Sequence, residues 1–238
     1  MSSKSTSEAP ELAEFQGAHL AVDVALFTVA PRADGSLALA VLCQKRQDGL
    51  AAGEWALVGR MLRDRERLSE AVQKALKIKC GIEGINPRQL FVLDEPTRDS
   101  RGWVVSVAHT STQRWSLLQP YVENDNNLAL TYISGQKPKY RFPEGQKNLP
   151  FENDLILDRA VEDIRLRYED SPDPDLLLPD QFTVLELREI HEAVLDRQLD
   201  KDLFRRKMID KLKPTGLTSN GAMGKPAQLF RRIESRKS

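Results

Sequence analysis

Three carboxylates, Glu66 and Glu70 among them, and several cations crowd the stretch from Trp55 to Ile82, WALVGRMLRDRERLSEAVQKALKIKCGI, the part of the chain best suited to chemistry. Glu66 and Glu70 lie four residues apart and would share one helix face, so two ligands for a divalent cation are conceivable. Beside them stand Arg60, Lys74 and Lys79, whose charges suit a phosphate better than a metal. The supporting frame is readable as well. Gly59 closes a short apolar run and a polar loop follows. Leu68, Val72, Ala75, Leu76 and Lys79 then fall on one face of a helix that runs to Gly81, where a left-handed cap would stop it. This is the outline of a phosphate-handling loop and helix.

The stretch resembles the Nudix box of pyrophosphate hydrolases, in which Gly, a spacer and Glu precede Arg-Glu-apolar-x-Glu-Glu-x-Gly-apolar. On this sequence the box Gly falls on Arg60 and the first Glu on Glu66. The Arg-Glu pair becomes Lys74 and Ala75, and the Glu-Glu pair becomes Ile78 and Lys79. Members of that family split a pyrophosphate with Mg²⁺ held by clustered carboxylates. Ala75, Ile78 and Lys79 remove that cluster and add a positive charge. The resemblance therefore implies a pocket that attracts phosphate without holding the metal that cleaves it, with no catalytic residue, no metal ligand and no cofactor.

The rest of the chain must position that pocket. Its 238 residues suffice for one large domain or two small ones. Residues 1–16 are small and polar and read as disordered. AHLAVDVALFTVA and SLALAVLCQKR are two apolar runs joined by PRADG, a hairpin signal. The second run ends at Gln44, Lys45 and Arg46, and Arg46 is a candidate phosphate contact. QLFVLDE and GWVVSVAHT read as two further strands across the turn PTRDSR, and LALTYI (128–133) as another. The basic, turn-rich segment 134–150 reads only as a loop. Cys43 and Cys80 read as reduced core thiols, His19, His109 and His191 lack metal-ligand spacing, and no apolar run approaches membrane-spanning length. These features point to a cytoplasmic protein without a membrane segment.

Charge then divides the C-terminal half. Residues 151–180 hold ten acidic and three basic residues, a net of −7. Within them DLILDRAVEDIRLRYE presents Leu155, Leu157, Val161, Ile164 and Tyr168 as the stripe of an amphipathic helix, broken by Ser-Pro-Asp-Pro-Asp. FTVLELREIHEAVL follows, its start marked by the capping box Thr183-x-x-Glu186 and its stripe by Val184, Leu187, Ile190, Val194 and Leu195. KDLFRRKMIDKLK reads as a second helix with Phe204, Met208 and Leu212 inward and Arg205, Arg206 and Lys213 outward. LTSNGAMGKPAQLFRRI reads as a hairpin with a Gly-rich tip. Helix, turn, helix, hairpin is the order of a winged helix-turn-helix. From Lys201 onward eleven basic residues face three acidic ones, a net of +8 in a chain that sums to zero, and phosphate attraction needs such local concentration.

Together the halves resemble the Nudix-related transcriptional regulators of NrtR type over residues 17–234. The most specific parts are Leu149-Pro150-Phe151, FTVLELREIHEAVL, LDKDLFRRKM and GKPAQLFRR. The resemblance implies an α+β chain. An N-terminal Nudix-like α/β/α sandwich with a mixed sheet, the ligand-sensing domain, occupies 17–150; a linker helix and hinge occupies 151–180; and a C-terminal winged helix-turn-helix DNA-binding domain occupies 181–238. It further implies a homodimeric regulator, usually a repressor of NAD biosynthesis or salvage genes, that binds a palindromic double-stranded operator and senses ADP-ribose, NAD or a relative. The expected ligand contacts are Arg46, Trp55, Gly59, Arg60 and Glu66. The expected DNA contacts are Lys201, Arg205, Arg206, Lys213, Thr215, Lys225 and Arg231. The alternative is a Nudix-type hydrolase using displaced carboxylates such as Glu66 and Glu70.

Overall fold

The computed structural model describes residues 17–219 and 226–233. Residues 1–16, expected to be disordered, residues 220–225, with Lys225 and the expected Gly-rich tip, and residues 234–238 lie outside them. Ten strands and five α-helices follow in the order β1 (His19–Pro31), β2 (Leu37–Lys45), β3 (Trp55–Ala56), β4 (Val58–Met61), α1 (Leu68–Cys80), β5 (Arg88–Leu93), β6 (Val104–Thr112), α2 (Trp115–Asn124), β7 (Leu128–Ser134), β8 (Lys139–Arg141), α3 (Asn153–Asp170), α4 (Val184–Leu195), α5 (Lys201–Met208), β9 (Leu212–Thr218) and β10 (Gln228–Arg232).

Eight strands form one mixed sheet, ordered β5-β6-β1-β2-β7-β8, with β3 added to β2 and β4 to β1. β1 runs parallel to β6 and antiparallel to β2 and β4. Because side chains alternate along a strand, β1 feeds two cores. Val22, Val24 and Leu26 face α1 and α2, whereas Ala25, Phe27 and Val29 face α3 and α4. The result is a three-layer sandwich with helices on both faces.

The acidic segment 151–180 contains the expected amphipathic helix. α3 buries Ile156, Leu157, Ala160, Val161, Ile164 and Tyr168, and packs on β1, β5 and α4. Leu155, expected in the stripe, is exposed; the helix phase places Ile156 there instead. α4 also lies against β1 and β2, so one core runs without a break from the sheet through α3 and α4 to Phe204, Met208, Leu212 and Phe230.

The C-terminal elements follow the expected order with one shortening. The Thr183 hydroxyl accepts from the Glu186 backbone N–H, and the Glu186 carboxylate accepts from the Thr183 N–H, closing the capping box. Asp196 ends α4 in the left-handed region, and Asp200 caps α5. α5 stops at Met208 rather than continuing to Lys213. A 3-10 turn over Ile209–Lys211 intervenes, and Leu212, Lys213 and Thr215 belong to β9. β9 pairs antiparallel with β10, while Phe182 bridges Phe230 and pins the hairpin to the start of α4. Two elements gave no clear sequence signal. α2 carries an internal Pro120, and segment 134–150 contains β8 and a 3-10 turn, with a second turn starting at Pro150, instead of a plain loop.

Candidate ligand cleft and winged-helix surface

Gly59 on β4 shows how closely the cleft is built. A Cβ there would overlap the Asp23 carboxylate and lie 2.6 Å from the Val22 carbonyl oxygen. Asp23 projects from β1 on the α3 face, where its Oδ2 accepts from Ser106 Oγ at 2.6 Å and lies 3.7 Å from Arg98 Nη2. Around this pair opens a cleft of about 220 Å³ whose charged lining is Arg46, Arg60, Lys79, Arg98 and Arg101 against Asp23 and Asp99. Asp99 is already held by Arg101 through Oδ1 and Oδ2, at 2.9 and 2.6 Å, and its carboxyl is lowered chiefly by that bond. Lys79 stands where the box would place a glutamate. Burial, then the Arg46 charge, lowers its pKa, as for a cation held among cations.

Phe151, from the Leu-Pro-Phe motif, closes one side. Its ring lies 5.0 Å from the Arg46 guanidinium and 5.7 Å from that of Arg101, and its backbone is left-handed at φ 58°. Glu152 shares that conformation, and α3 starts immediately after it without a side-chain cap.

Of the five expected ligand residues, the cleft gathers Arg46, Gly59 and Arg60. Trp55 is buried behind it: its backbone N–H and C=O are both held by the Gln146 side chain, at 2.7 and 2.8 Å, and Lys45 Nζ sits 5.6 Å from its ring. Segment 134–150 is thus a brace for the cleft wall. Glu66 is also drawn away from the cleft. Its carboxylate, 4% exposed, accepts from Lys74 Nζ at 2.9 Å, from the Arg63 N–H at 3.0 Å and from Arg60 at 2.6 Å. The Lys74 bond leads in lowering its pKa to about 2.

Glu66 lies before α1, whose N-cap is Arg67, so Glu66 and exposed Glu70 do not share a helix face as expected. Among the described residues no three His, Cys, Asp or Glu side chains converge as metal ligands. Asp23, Arg98, Lys79 and Arg101 complete the cleft, together with Asn153. Lys79 was readable from its box position, whereas Arg98 and Arg101 were marked only as part of a turn between two strands. Asp23 in an apolar strand and Asn153 at a helix start carried no signal of their own.

At the other end, Lys201, Arg205 and Arg206 are exposed on α5, and Lys213 and Arg231 on the hairpin. Thr215 Oγ1 donates to the Leu229 carbonyl at 2.9 Å and so serves the hairpin itself. Lys207 pairs with Asp170 of α3 at 2.8 Å. Arg232 reaches inward to Asp173, a fully buried carboxylate that also accepts from Tyr168 Oη and the Leu177 and Leu178 N–H groups.

Residues 176–232 match the NrtR DNA-binding winged helix domain. The chain is 26% identical over 234 residues to the ADPR responsive transcriptional repressor NtrR of Acinetobacter baylyi, covering 95% of this chain and 88% of that one. The structure of Shewanella oneidensis NrtR complexed with a 27mer DNA superposes with a TM-score of 0.72 at 26% identity, over 90% of this chain and 93% of that one. The chain is thus similar to NrtR-type proteins, with a Nudix-like fold joined to a winged helix. A MutT/nudix family protein from Enterococcus faecalis shares the fold, with a TM-score of 0.74 at 21% identity over 94% of this chain and 90% of that one. The NrtR-type order accounts for both ends of the molecule, the cationic cleft and the basic head. Among the described residues, no helix is long and apolar enough to cross a membrane.

Proposed function

We propose that this NrtR-type protein is a DNA-binding transcriptional repressor that senses ADP-ribose, or a related nucleotide of NAD metabolism, through a Nudix-like cleft that performs no hydrolysis. The observation that carries the reading is one chain joining an NrtR winged helix to a cleft with five cationic side chains and two internally engaged carboxylates. Cations at that density favour a diphosphate, and the box positions that would hold Mg²⁺ are Ala75, exposed Ile78 and Lys79. Arg46 and Arg60 are the cleft's phosphate contacts among the residues marked by sequence, with Gly59 allowing close approach.

The reading head is 181–238. Its expected DNA contacts are Lys201, Arg205, Arg206, Lys213, Thr215, Lys225 and Arg231, applied by a homodimer to a palindromic operator with half-sites about one helical turn apart. Support for the head comes from exposure of the α5 and hairpin cations, and from likeness to an NrtR that was crystallised with DNA. Support for the effector comes from the cleft's charge and from the relative described as ADPR responsive. The experiment is footprinting of the purified protein on DNA upstream of its own and neighbouring genes, with Mg²⁺ and ADP-ribose turnover followed in parallel. A protected palindrome with salt-sensitive affinity and no turnover is the expected result. Robust Mg²⁺-dependent turnover that disappears in Glu66→Gln would replace this reading with the hydrolase.

A further inference from the structure

The cleft contains unspent donors that the Nudix box does not supply. Arg98 lies on the β5–β6 loop with its side chain 3% exposed. Its Nη2 donates to the Phe151 carbonyl at 2.8 Å, but its Nε and Nη1, both buried, have no hydrogen-bond partner among the described residues. Asn153, the first residue of α3, is 2% exposed, and its Nδ2 is likewise buried and unpartnered. Both residues line the cleft. Both stand at the start of an 18-residue helix that has no side-chain cap, where the positive end of its dipole lies.

Buried donors without acceptors are costly, and in native proteins they are satisfied by some group. The buried unpartnered atoms here, Arg98 Nε and Nη1 and Asn153 Nδ2, are all donors, so the missing partner must bring several acceptors on a compact, negatively charged body. The nearby acids do not fill that role. Asp23 accepts from Ser106, stands 3.7 Å from the already engaged Nη2, and leaves Nε and Nη1 unpartnered; Asp99 is closed by Arg101. A phosphate or diphosphate fits this donor set, as it does other helix N-termini with an adjacent guanidinium.

We propose that the N-terminus of α3, with the Asn153 amide and the Arg98 guanidinium, is a metal-free diphosphate-binding site, so that the effector's charge is received by α3 and not by the box helix α1. The proposal rests on the effector reading above and adds where the charge is held. It also gives the effector a direct mechanical partner. α3 packs on α4, and its C-terminal end holds Lys207 of α5 through Asp170.

The test is calorimetric titration, in EDTA, of wild type, Asn153→Asp and Lys77→Ala with inorganic pyrophosphate and with ADP-ribose. Asn153→Asp is nearly isosteric, and its charge favours the helix N-terminus, so folding is retained and verified by circular dichroism. Lys77, paired with Glu83 on the surface, controls for a plain change of charge. Both ligands should bind wild type and Lys77→Ala alike, and bind Asn153→Asp weaker by about tenfold or more. Arg98→Lys, which keeps the charge but loses the fork, should weaken both as well. If ADP-ribose binds Asn153→Asp as tightly as wild type, the site is wrong and the sensor reading stands. Pyrophosphate binding that is lost in Asn153→Asp, without any ADP-ribose binding, keeps the site and removes the proposed effector. Binding of neither ligand to wild type overturns both.

Discussion

Asp173→Asn tests how the head is fastened to the rest of the molecule. Asp173 Oδ1 accepts from Tyr168 Oη at 2.8 Å and from the Leu177 N–H at 2.8 Å, while Oδ2 accepts from the Leu178 N–H at 2.9 Å and from Arg232. Donors from four residues, five N–H and O–H groups in all, thus converge on two oxygens with no solvent exposure. Asparagine supplies one oxygen, and its amide presents hydrogens to at least two of those donors in either orientation. The substitution also strips the counter-charge from Arg232, whose side chain is 16% exposed and whose guanidinium lies 5.0 Å from the Phe182 ring. Removing one partner of a buried pair costs about 3–5 kcal/mol. For a chain of this size that lowers Tm by roughly 6–20 °C at about 2–4 °C per kcal/mol. Urea denaturation of wild type, Asp173→Asn, Arg232→Met and the double variant supplies the assay. The double variant should lose less than the sum of the single losses, because each single change exposes the same pair. A shift under about 1 kcal/mol for Asp173→Asn, with additive losses, would refute the fastening role.

The remaining expectations are more local. Gly59→Ala forces a Cβ onto Asp23 and to 2.6 Å from the Val22 carbonyl, where backbone cannot yield cheaply; about 1–3 kcal/mol of stability and the cleft's ligand affinity should go together, read by denaturation and calorimetry. His191 is fully buried among Tyr168, Phe204 and Asp173, with Lys207 nearby, and burial pushes its pKa down to about 4. The unfolded chain therefore binds the extra proton first, and stability falls as pH drops from about 6.5 through about 4, by up to about 3 kcal/mol; His191→Gln should flatten that slope. Arg206→Ala should cost about 1–3 kcal/mol and relax preference at one base pair per half-site, whereas Arg205→Ala should weaken all duplexes and reduce the salt slope. If the two outcomes exchange, α5 enters the groove rotated from this description.

Period and punctuation carried much of the architecture. The apolar runs of β1 and β2 with the turn between them, the stop at Gly81 and the Thr183–Glu186 box are local rules, and the structure follows them. What depended on distant partners was hidden. Pro120 disguises α2, since only its packing on β1 and β7 sustains a helix there. Segment 134–150 is fixed by Gln146 on Trp55 and by Glu144 on Lys45, about a hundred residues away in sequence. The amphipathic helix expected in 151–180 was legible from its stripe, but the partners of its acidic residues and of the break after it, Arg88, Arg197, Lys207 and Arg232, were not. For the cleft, residue type marked Arg46, Gly59 and Arg60. Asp23 and Asn153 became visible only when β1, β4 and α3 met, and Glu66, the most conspicuous acid of the box, proved to be spent on Lys74, Arg60 and the Arg63 N–H.

The central claim is that one ligand and one DNA site are coupled through this molecule, and reciprocity tests it most directly. ADP-ribose is titrated by calorimetry into the free protein and into the protein saturated with its footprinted operator duplex, and operator affinity is measured by fluorescence anisotropy with and without saturating ADP-ribose. Linkage requires one coupling factor in both directions, and release predicts that it opposes binding. The account predicts that ADP-ribose weakens operator binding by about five- to 150-fold, and that the operator weakens ADP-ribose binding by the same factor. Equal ADP-ribose affinity for the free and the DNA-bound protein, with operator affinity unchanged at millimolar ligand, would contradict it.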